Sequence, residues 1–559
     1  MSCRRPGHCG VAGVLTRDGK VGMPAEDTIR APRRRDLLRM IGLAAGGAAM
    51  YQAMSALGFA QGTRVSDESR LGEAPRGASV LILGAGLAGM TAAYELRRAG
   101  YAVQVLEYNE RPGGRNWSLR GGDRYTELGG ATQECRFDPG LYINHGPWRI
   151  PYHHRHLLGY CKRLGVALEP FIQINYNSYL HSLTAFGGRP QRYRHIDADY
   201  RGMVSELLAK AINQRALDAP LTREDREKLL ESLRSSGALD AGYRYVRGDT
   251  SSDARGYDKD PGGGLSGKPI PSQPIGAHQL LESGLWLSLG AAYDEAYLFQ
   301  TTLLQPVGGM GRIGEAFGRA LEGLIRYRAR VTRIHQDDHG VTAHYEDLRQ
   351  PGPMLQARAD WCVCTIPLSV LHQIPMNVGR PMAEAIAAVP YAPAVKIGLQ
   401  FKRRFWEQDE DIYGGTTYTD QPILNISYPC CDYFSDGKGV LLGAYTYGEP
   451  ALEFTAMSPT MRIREAVRQG ALIHPQYPAE FDNGIAVAWN RVPFVMGCYG
   501  MWSDDVRQRH YDNLCQIDGR IALAGEHASY LPAWQEGAIT SALDAITRLA
   551  RRAHAGASA

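Results

Sequence analysis

Ala78-Ser79-Val80-Leu81-Ile82-Leu83-Gly84-Ala85-Gly86-Leu87-Ala88-Gly89 is the stretch on which the fold turns. Its first six residues make an almost continuous apolar run, the pattern of a parallel strand covered on both faces. Leu87, Met90 and Tyr94 then recur at helical spacing until Gly100, and Tyr101 to Leu106 reads as a second strand ending at Glu107. Gly84 permits a tight turn, Gly86 lets backbone approach a pyrophosphate, and Gly89 lets the helix pack on the strand. With Ala85 inside the turn, the helix N-terminus presents free N–H groups to phosphates. Glu107, 23 residues after Gly84, stands where it can accept hydrogen bonds from a ribose. Strand, helix, strand and acid in this order predict a Rossmann-type dinucleotide-binding unit in an α/β protein.

Outward from that unit, 559 residues are too many for one ordinary core, so two or three packed units are expected. Apolar residues at 44% and charged residues at 21% describe a globular chain, not a disordered or fibrous one. Residues 1–60 hold nine Lys/Arg and four Asp/Glu, while the remainder holds 53 basic and 54 acidic side chains. That even balance argues against nucleic acid or an anionic membrane as partner. The ten cysteines include no C-x-x-C pair, so no metal site is expected and most are read as buried thiols.

The basic surplus lies at Arg33-Arg34-Arg35-Asp36-Leu37-Leu38-Arg39, followed by a Gly/Ala-rich apolar run from Met40 to about Ala60. This resembles a twin-arginine export signal with cleavage near Gly58-Phe59-Ala60, which implies a periplasmic or secreted protein loaded with its cofactor before export. Gly46-Gly47, Gln52 and Ser55 make the run a poor membrane anchor, so no stable membrane span is expected.

Which dinucleotide is bound follows from Arg111-Pro112-Gly113-Gly114-Arg115. A second glycine pair and an arginine just after the ribose acid resemble the flavin amine oxidase family, where that arginine lies by the FAD pyrophosphate. Tyr142-Ile143-Asn144-His145-Gly146-Pro147-Trp148-Arg149-Ile150-Pro151 resembles the N-x-G-P-x-R-[IL]-P segment of its L-amino acid oxidases. There the arginine grips the substrate carboxylate, and a planar, permanently charged fork suits that task. Gly146, Pro147, Trp148 and Arg149 would also border the cofactor.

The resemblance continues to the C-terminus. Pro306-Val307-Gly308-Gly309-Met310 is similar to the turn re-entering the FAD domain, and Val331 falls in the strand whose backbone touches the adenine. In Ala394 to Phe401, the residues Val395, Ile397, Leu399 and Phe401 alternate as a half-buried strand, so Lys396 faces away from them and would by itself be solvent-facing. The family's lysine here holds a water against flavin N5. Tyr428-Pro429 resembles the tyrosine that joins the arginine on the substrate carboxylate. Gly525-Glu526-His527 and Trp534-Gln535-Glu536-Gly537-Ala538-Ile539 resemble the segment closing over FAD. This implies Glu526 at the ribityl or phosphate region, Gly537, Ala538 and Ile539 by the flavin ring, and Ala533 and Trp534 along the substrate slot. Trp489 to Gly497-Cys498-Tyr499 is similar to monoamine oxidases, whose cysteine after the glycine is bonded to flavin. The expectation is non-covalent FAD, with a Cys498 thioether as the alternative and Tyr499 as the aromatic wall opposite Trp534. Glu127-Leu128-Gly129-Gly130 departs from the animal amino acid oxidases and is more like amine oxidases.

The resulting expectation is a Rossmann-type FAD-binding domain (76–132, 303–388 and 505–551), a mixed-sheet substrate domain (133–197 and 389–504) and a helical insertion (198–302). In the insertion Met203, Leu207, Leu208 and Ile212 fall at helical spacing, while Gly248–Gly276, with seven glycines and four prolines, reads as a disordered surface loop or a lid. The implied reaction converts an L-amino acid and dioxygen to a 2-oxo acid, ammonia and hydrogen peroxide, with Arg149, Tyr428, Lys396, Trp534 and Tyr499 around the substrate. An amino acid 2-monooxygenase, a primary amine oxidase and a non-catalytic exported flavoprotein are the alternatives. Oligomeric state stays open, a homodimer being one reading.

Overall fold

The computed structural model describes residues 71–217, 221–289, 302–350 and 352–557. The twin-arginine segment, with Cys3 and Cys9, lies outside the described residues.

The opening motif folds into Ser79–Leu83, the helix Leu87–Arg98 and the strand Ala102–Leu106. They belong to a six-stranded sheet in the order Ile325–Arg326, Ala102–Leu106, Ser79–Leu83, Trp361–Cys364, Ile521–Leu523, Ile517–Asp518. All pairs are parallel except the last. The apolar run is explained by its two faces. Val80 and Ile82 pack with Met90, Ile539 and Ile546 of the two long helices, Leu87–Arg98 and Gln535–Ala557. Leu81 and Leu83 pack on the other side with Val331, Val341 and Leu368. Truncating one such side chain to alanine costs about 2–5 kcal/mol. Gly89 is required by contact, since a Cβ there would lie 2.0 Å from the Gly84 carbonyl oxygen.

A second, seven-stranded sheet runs in the order Gln191–Arg192, Tyr179–His181, Thr416–Thr419, Asn425–Ser427, Gly439–Tyr447, Ala394–Phe401, Phe481–Ala488. It is mixed, because Thr416–Thr419 pairs with Tyr179–His181 in parallel while its other pairs are antiparallel. Ala394–Phe401 is buried along its whole length. Val395, Ile397 and Leu399 meet Phe454 and Ala466 of two covering helices, Gly448–Ala456 and Pro459–Gly470. Lys396 is therefore on a covered face too, contrary to the solvent-facing position that alternation alone suggests. Glu127, in the segment unlike animal amino acid oxidases, is buried against Arg462 at 2.7 Å and staples the first unit to the second sheet's helices.

Helices Tyr193–Asn213 and Arg223–Ser236 form the core of the helical part, the second opened by a reciprocal Thr222–Asp225 capping box. The buried stripe of Tyr193–Asn213 runs through Ile196, Ala209 and Ile212, whereas Leu207 is 56% exposed. Gly248–Gly276 is not a loop without structure. It carries the helix Asp249–Arg255 and a ribbon of Tyr257–Lys259 with Ile270–Pro271. Buried Asp199 organises it, accepting from Arg255 Nε at 2.8 Å, Ile275 N at 2.8 Å and Tyr245 OH at 2.7 Å. Composition could not reveal that anchor, because Asp199 is distant in sequence. Among the described residues no helix is long and apolar enough to cross a membrane.

Candidate active site

Two cavities share Gly86, Arg115 and Thr365 as lining residues and so meet at the glycine-rich turn. The smaller, about 70 Å³, lies over the carboxyl ends of the parallel strands and is bordered by Glu107, Val331, Ile366 and Phe494. The larger, about 570 Å³, extends from that turn to the face of the seven-stranded sheet, a volume within the roughly 300–1,000 Å³ of small-molecule sites.

At the turn, Gly84 has φ 104°, and the helix Leu87–Arg98 begins after Gly86 with no side-chain cap. A Cβ on Gly86 would meet nothing within 4 Å, because it would project into the space at the junction of the cavities. Glu107 is buried, with Oε2 accepting from Ala85 N at 2.6 Å and Oε1 from Asn109 N at 2.8 Å. Oε1 also accepts from Asn109 Nδ2 at 2.6 Å, so the remaining lone pair is on Oε2. The acid thus holds the turn in shape as well as edging the small cavity. Ala85 and Gly89 shape the turn without lining either cavity.

Arg115 and Glu526 form the central ion pair, Nη1 to Oε1 at 2.8 Å. The same Nη1 donates to the Cys498 carbonyl at 2.7 Å, and Glu526 also accepts from Gly500 N and Ala533 N, both at 3.2 Å. One carboxylate thereby holds the chain on both sides of Tyr499 and just before Trp534. Both aromatic residues line the large cavity, as do Ala533, Gly146, Pro147, Trp148 and Trp489. Trp489 Nε1 donates to the His145 carbonyl at 2.9 Å. Gly146 tolerates no side chain, since a Cβ would fall 1.8 Å from the Arg115 carbonyl oxygen.

Arg149 lines the same cavity, its Cζ 5.3 Å from the Trp148 ring centre and 5.5 Å from that of Trp534. Lys396 Nζ donates to the Gly146 carbonyl and sits 4.8 Å from the Trp148 ring and 4.3 Å from the Tyr445 ring. Burial lowers the Lys396 pKa to about 7; nearby Arg149 pushes the same way and Cys498 opposes it. Burial raises the Cys498 thiol to about 11, so it stays protonated at neutral pH.

Besides Ala85 and Gly89, three expected positions lie off the cavities. Tyr428 does not line the large cavity. It follows the strand Asn425–Ser427, and its ring packs in the apolar layer with Phe405 and Ile426. Its hydroxyl lies 2.7 Å from Thr417 Oγ1 and 2.7 Å from His474 Nε2, and His474 Nδ1 is 3.0 Å from Glu410. Asn425, three residues earlier and so on the opposite face, lines the cavity instead. In the C-terminal helix only Ala538 of the three glycine, alanine and isoleucine positions borders the cavity. Gly537 is packed under the Leu531 carbonyl, where a Cβ would sit at 2.1 Å, and Ile539 is buried in the first core. Sequence reasoning missed Tyr445, Tyr418, Asn425, Gln173 and Thr416, all lining residues. Tyr445 stands opposite Lys396 in strand register, a relation that follows from pairing and from no local motif.

The model of flavin containing amine oxidoreductases matches residues 87–549. The chain belongs to that family. A putative L-amino-acid oxidase, YobN, of Bacillus subtilis is 27% identical over 483 residues, covering 83% of this chain and 93% of the relative. The L-amino-acid oxidase of Siganus canaliculatus is 28% identical over 481 residues, covering 84% and 85%. Among solved structures, cyclohexylamine oxidase from Brevibacterium oxydans superposes with TM-score 0.55 at 18% identity, over 86% of this chain and 100% of that one. Wild-type putrescine oxidase bound to putrescine gives 0.53 at 18%, over 86% and 98%. The flavin amine oxidoreductase fold accounts for the paired cavities. The open space at Gly86, the uncapped helix start and Glu107 at the edge of the small cavity fit a flavin dinucleotide.

Proposed function

We propose that this flavin oxidoreductase oxidises L-amino acids at the carbon bearing the amine. The observation that carries the reading is Arg149 beside Lys396 in one aromatic-lined cavity. Among the described lining residues the one carboxylate is Glu526, which Arg115 already engages. The planar, permanently charged fork of Arg149 in such a place suits a ligand that carries an α-carboxylate, which a simple amine lacks.

Gly84, Gly86, Glu107, Val331 and Arg115 would hold FAD, whose bound isoalloxazine supplies a two-electron acceptor that dioxygen regenerates with release of hydrogen peroxide. Arg149 binds the carboxylate through its fork. Trp534 and Tyr499 flank the Cα, fixing its orientation and excluding water. Lys396 Nζ, neutral above about pH 7, receives a proton from the substrate ammonium directly or through a water. Loss of two electrons and the Cα hydrogen leaves an imino acid, which water converts to the 2-oxo acid and ammonia.

FAD is proposed to be non-covalent, with Cys498 remaining a thiol. Export of the folded protein by the twin-arginine route is proposed on the N-terminal sequence alone. The deciding experiment is peroxide release by the holoenzyme across L-amino acids, D-amino acids and primary amines. Release with L-amino acids and not with amines supports the reading; release with amines alone overturns it.

A further inference from the structure

Lys396, Tyr445, Asn425 and Tyr418 stand on four successive strands of the seven-stranded sheet, Ala394–Phe401, Gly439–Tyr447, Asn425–Ser427 and Thr416–Thr419. All four line the large cavity. Adjacent strands lie about 4.8 Å apart, so this row reaches about 14 Å from the lysine. Thr416 is two residues before Tyr418 on the same strand face, and Asn425 is the cross-strand partner of Tyr418. Gln173 closes the row, its Nε2 donating to Tyr418 OH at 3.0 Å.

Resting on the amino acid reading above, we propose that Gln173, Thr416, Tyr418 and Asn425 form the side-chain subsite. It selects L-amino acids with a neutral, hydrogen-bonding side chain of about glutamine's length. A substrate whose Cα lies over Tyr445 and whose side chain extends about 5 Å, roughly one strand spacing, brings a carboxamide over Asn425 and toward the strand bearing Thr416 and Tyr418. There Gln173 Oε1 and Thr416 Oγ1 are buried with no hydrogen-bond partner. Asn425 Nδ2 donates to the Tyr445 carbonyl at 3.3 Å. A carboxamide supplies both the donors and the acceptor these atoms need. Gln173 Oε1 and Thr416 Oγ1 are already shut off from water, and an apolar side chain of equal length would leave them unpaired where a carboxamide pairs them. A lysine or arginine side chain finds no carboxylate among the described lining residues apart from Glu526, held by Arg115. A side-chain carboxylate would face Gln173 Oε1, which can only accept.

The test compares kcat/KM of the holoenzyme for L-glutamine, L-methionine, L-lysine and L-glutamate. Glutamine is expected to exceed methionine, its unbranched near-isostere, at least 10-fold and to exceed both charged substrates. Thr416→Val and Gln173→Leu should each lower the glutamine-to-methionine ratio at least 10-fold, with flavin absorbance and Tm reporting that the variant is folded and loaded. Methionine, lysine or glutamate matching glutamine in the unmodified enzyme would overturn the subsite, and so would an unchanged ratio in both folded variants. Either result leaves amino acid oxidation standing. If no L-amino acid bleaches the flavin anaerobically while amines do, the amino acid reading itself falls and the subsite with it.

Discussion

The Tyr428 hydroxyl lies 2.7 Å from His474 Nε2, under the sheet and away from the cavity that holds Arg149. Tyr428→Phe should therefore leave KM for the amino acid within about twofold. It should cost about 1–2 kcal/mol in urea unfolding, because Thr417 and His474 each lose a buried partner. A KM rise of tenfold or more would return the tyrosine to the substrate carboxylate.

Arg149→Ala is expected to raise KM by about 100-fold, the loss of a charge-assisted bidentate contact worth about 3 kcal/mol. The protein should stay yellow, since the cofactor's cradle lies around Gly86 and Glu107. Steady-state kinetics and the ratio of flavin to protein absorbance check both halves.

Lys396 has its pKa lowered to about 7 by burial, and the unfolded value is 10.5. The amine is protonated below about 7 and neutral above it, so a proton-accepting role makes kcat/KM rise with pH through about 7. Lys396→Met should remove that limb from the pH profile. A limb that survives the substitution belongs to another group.

Breaking the Arg115–Glu526 pair with Glu526→Ala should cost about 3 kcal/mol, since a guanidinium is left without its counter-charge. The carboxylate also holds Gly500 N and Ala533 N, so the variant should lose kcat more than it raises KM. Urea unfolding and steady-state kinetics together read this out.

Acid precipitation of the holoenzyme should leave the yellow colour in the supernatant, since the proposed FAD carries no bond to Cys498. Colour retained in the pellet, and lost in Cys498→Ser, would establish the thioether instead.

Much of the nucleotide end was legible in the sequence because its requirements are local. The turn at Gly84, the packing at Gly89 and the acid at Glu107 act within one βαβ unit, where spacing along the chain is spacing in space. The substrate end was legible only as far as Arg149, Lys396, Tyr499 and Trp534 carry recognisable surroundings. Tyr445, Asn425 and Tyr418 come together through strand pairing between distant segments, which periodicity along one strand does not disclose. Tyr428 shows the converse failure. A dipeptide likeness named the residue, but the end of its strand turns the ring to the other side.

The row from Lys396 to Tyr418 has an evolutionary consequence. The lysine strand is walled in on both sides, and nearly any change there disturbs two neighbouring strands. The strands bearing Asn425 and Tyr418 lie two and three strands along the sheet from the lysine strand, and single substitutions on them alter what the cavity's far end accepts without touching the reacting end. Descendants of one ancestral oxidase can in this way diverge in diet while inheriting the same chemistry.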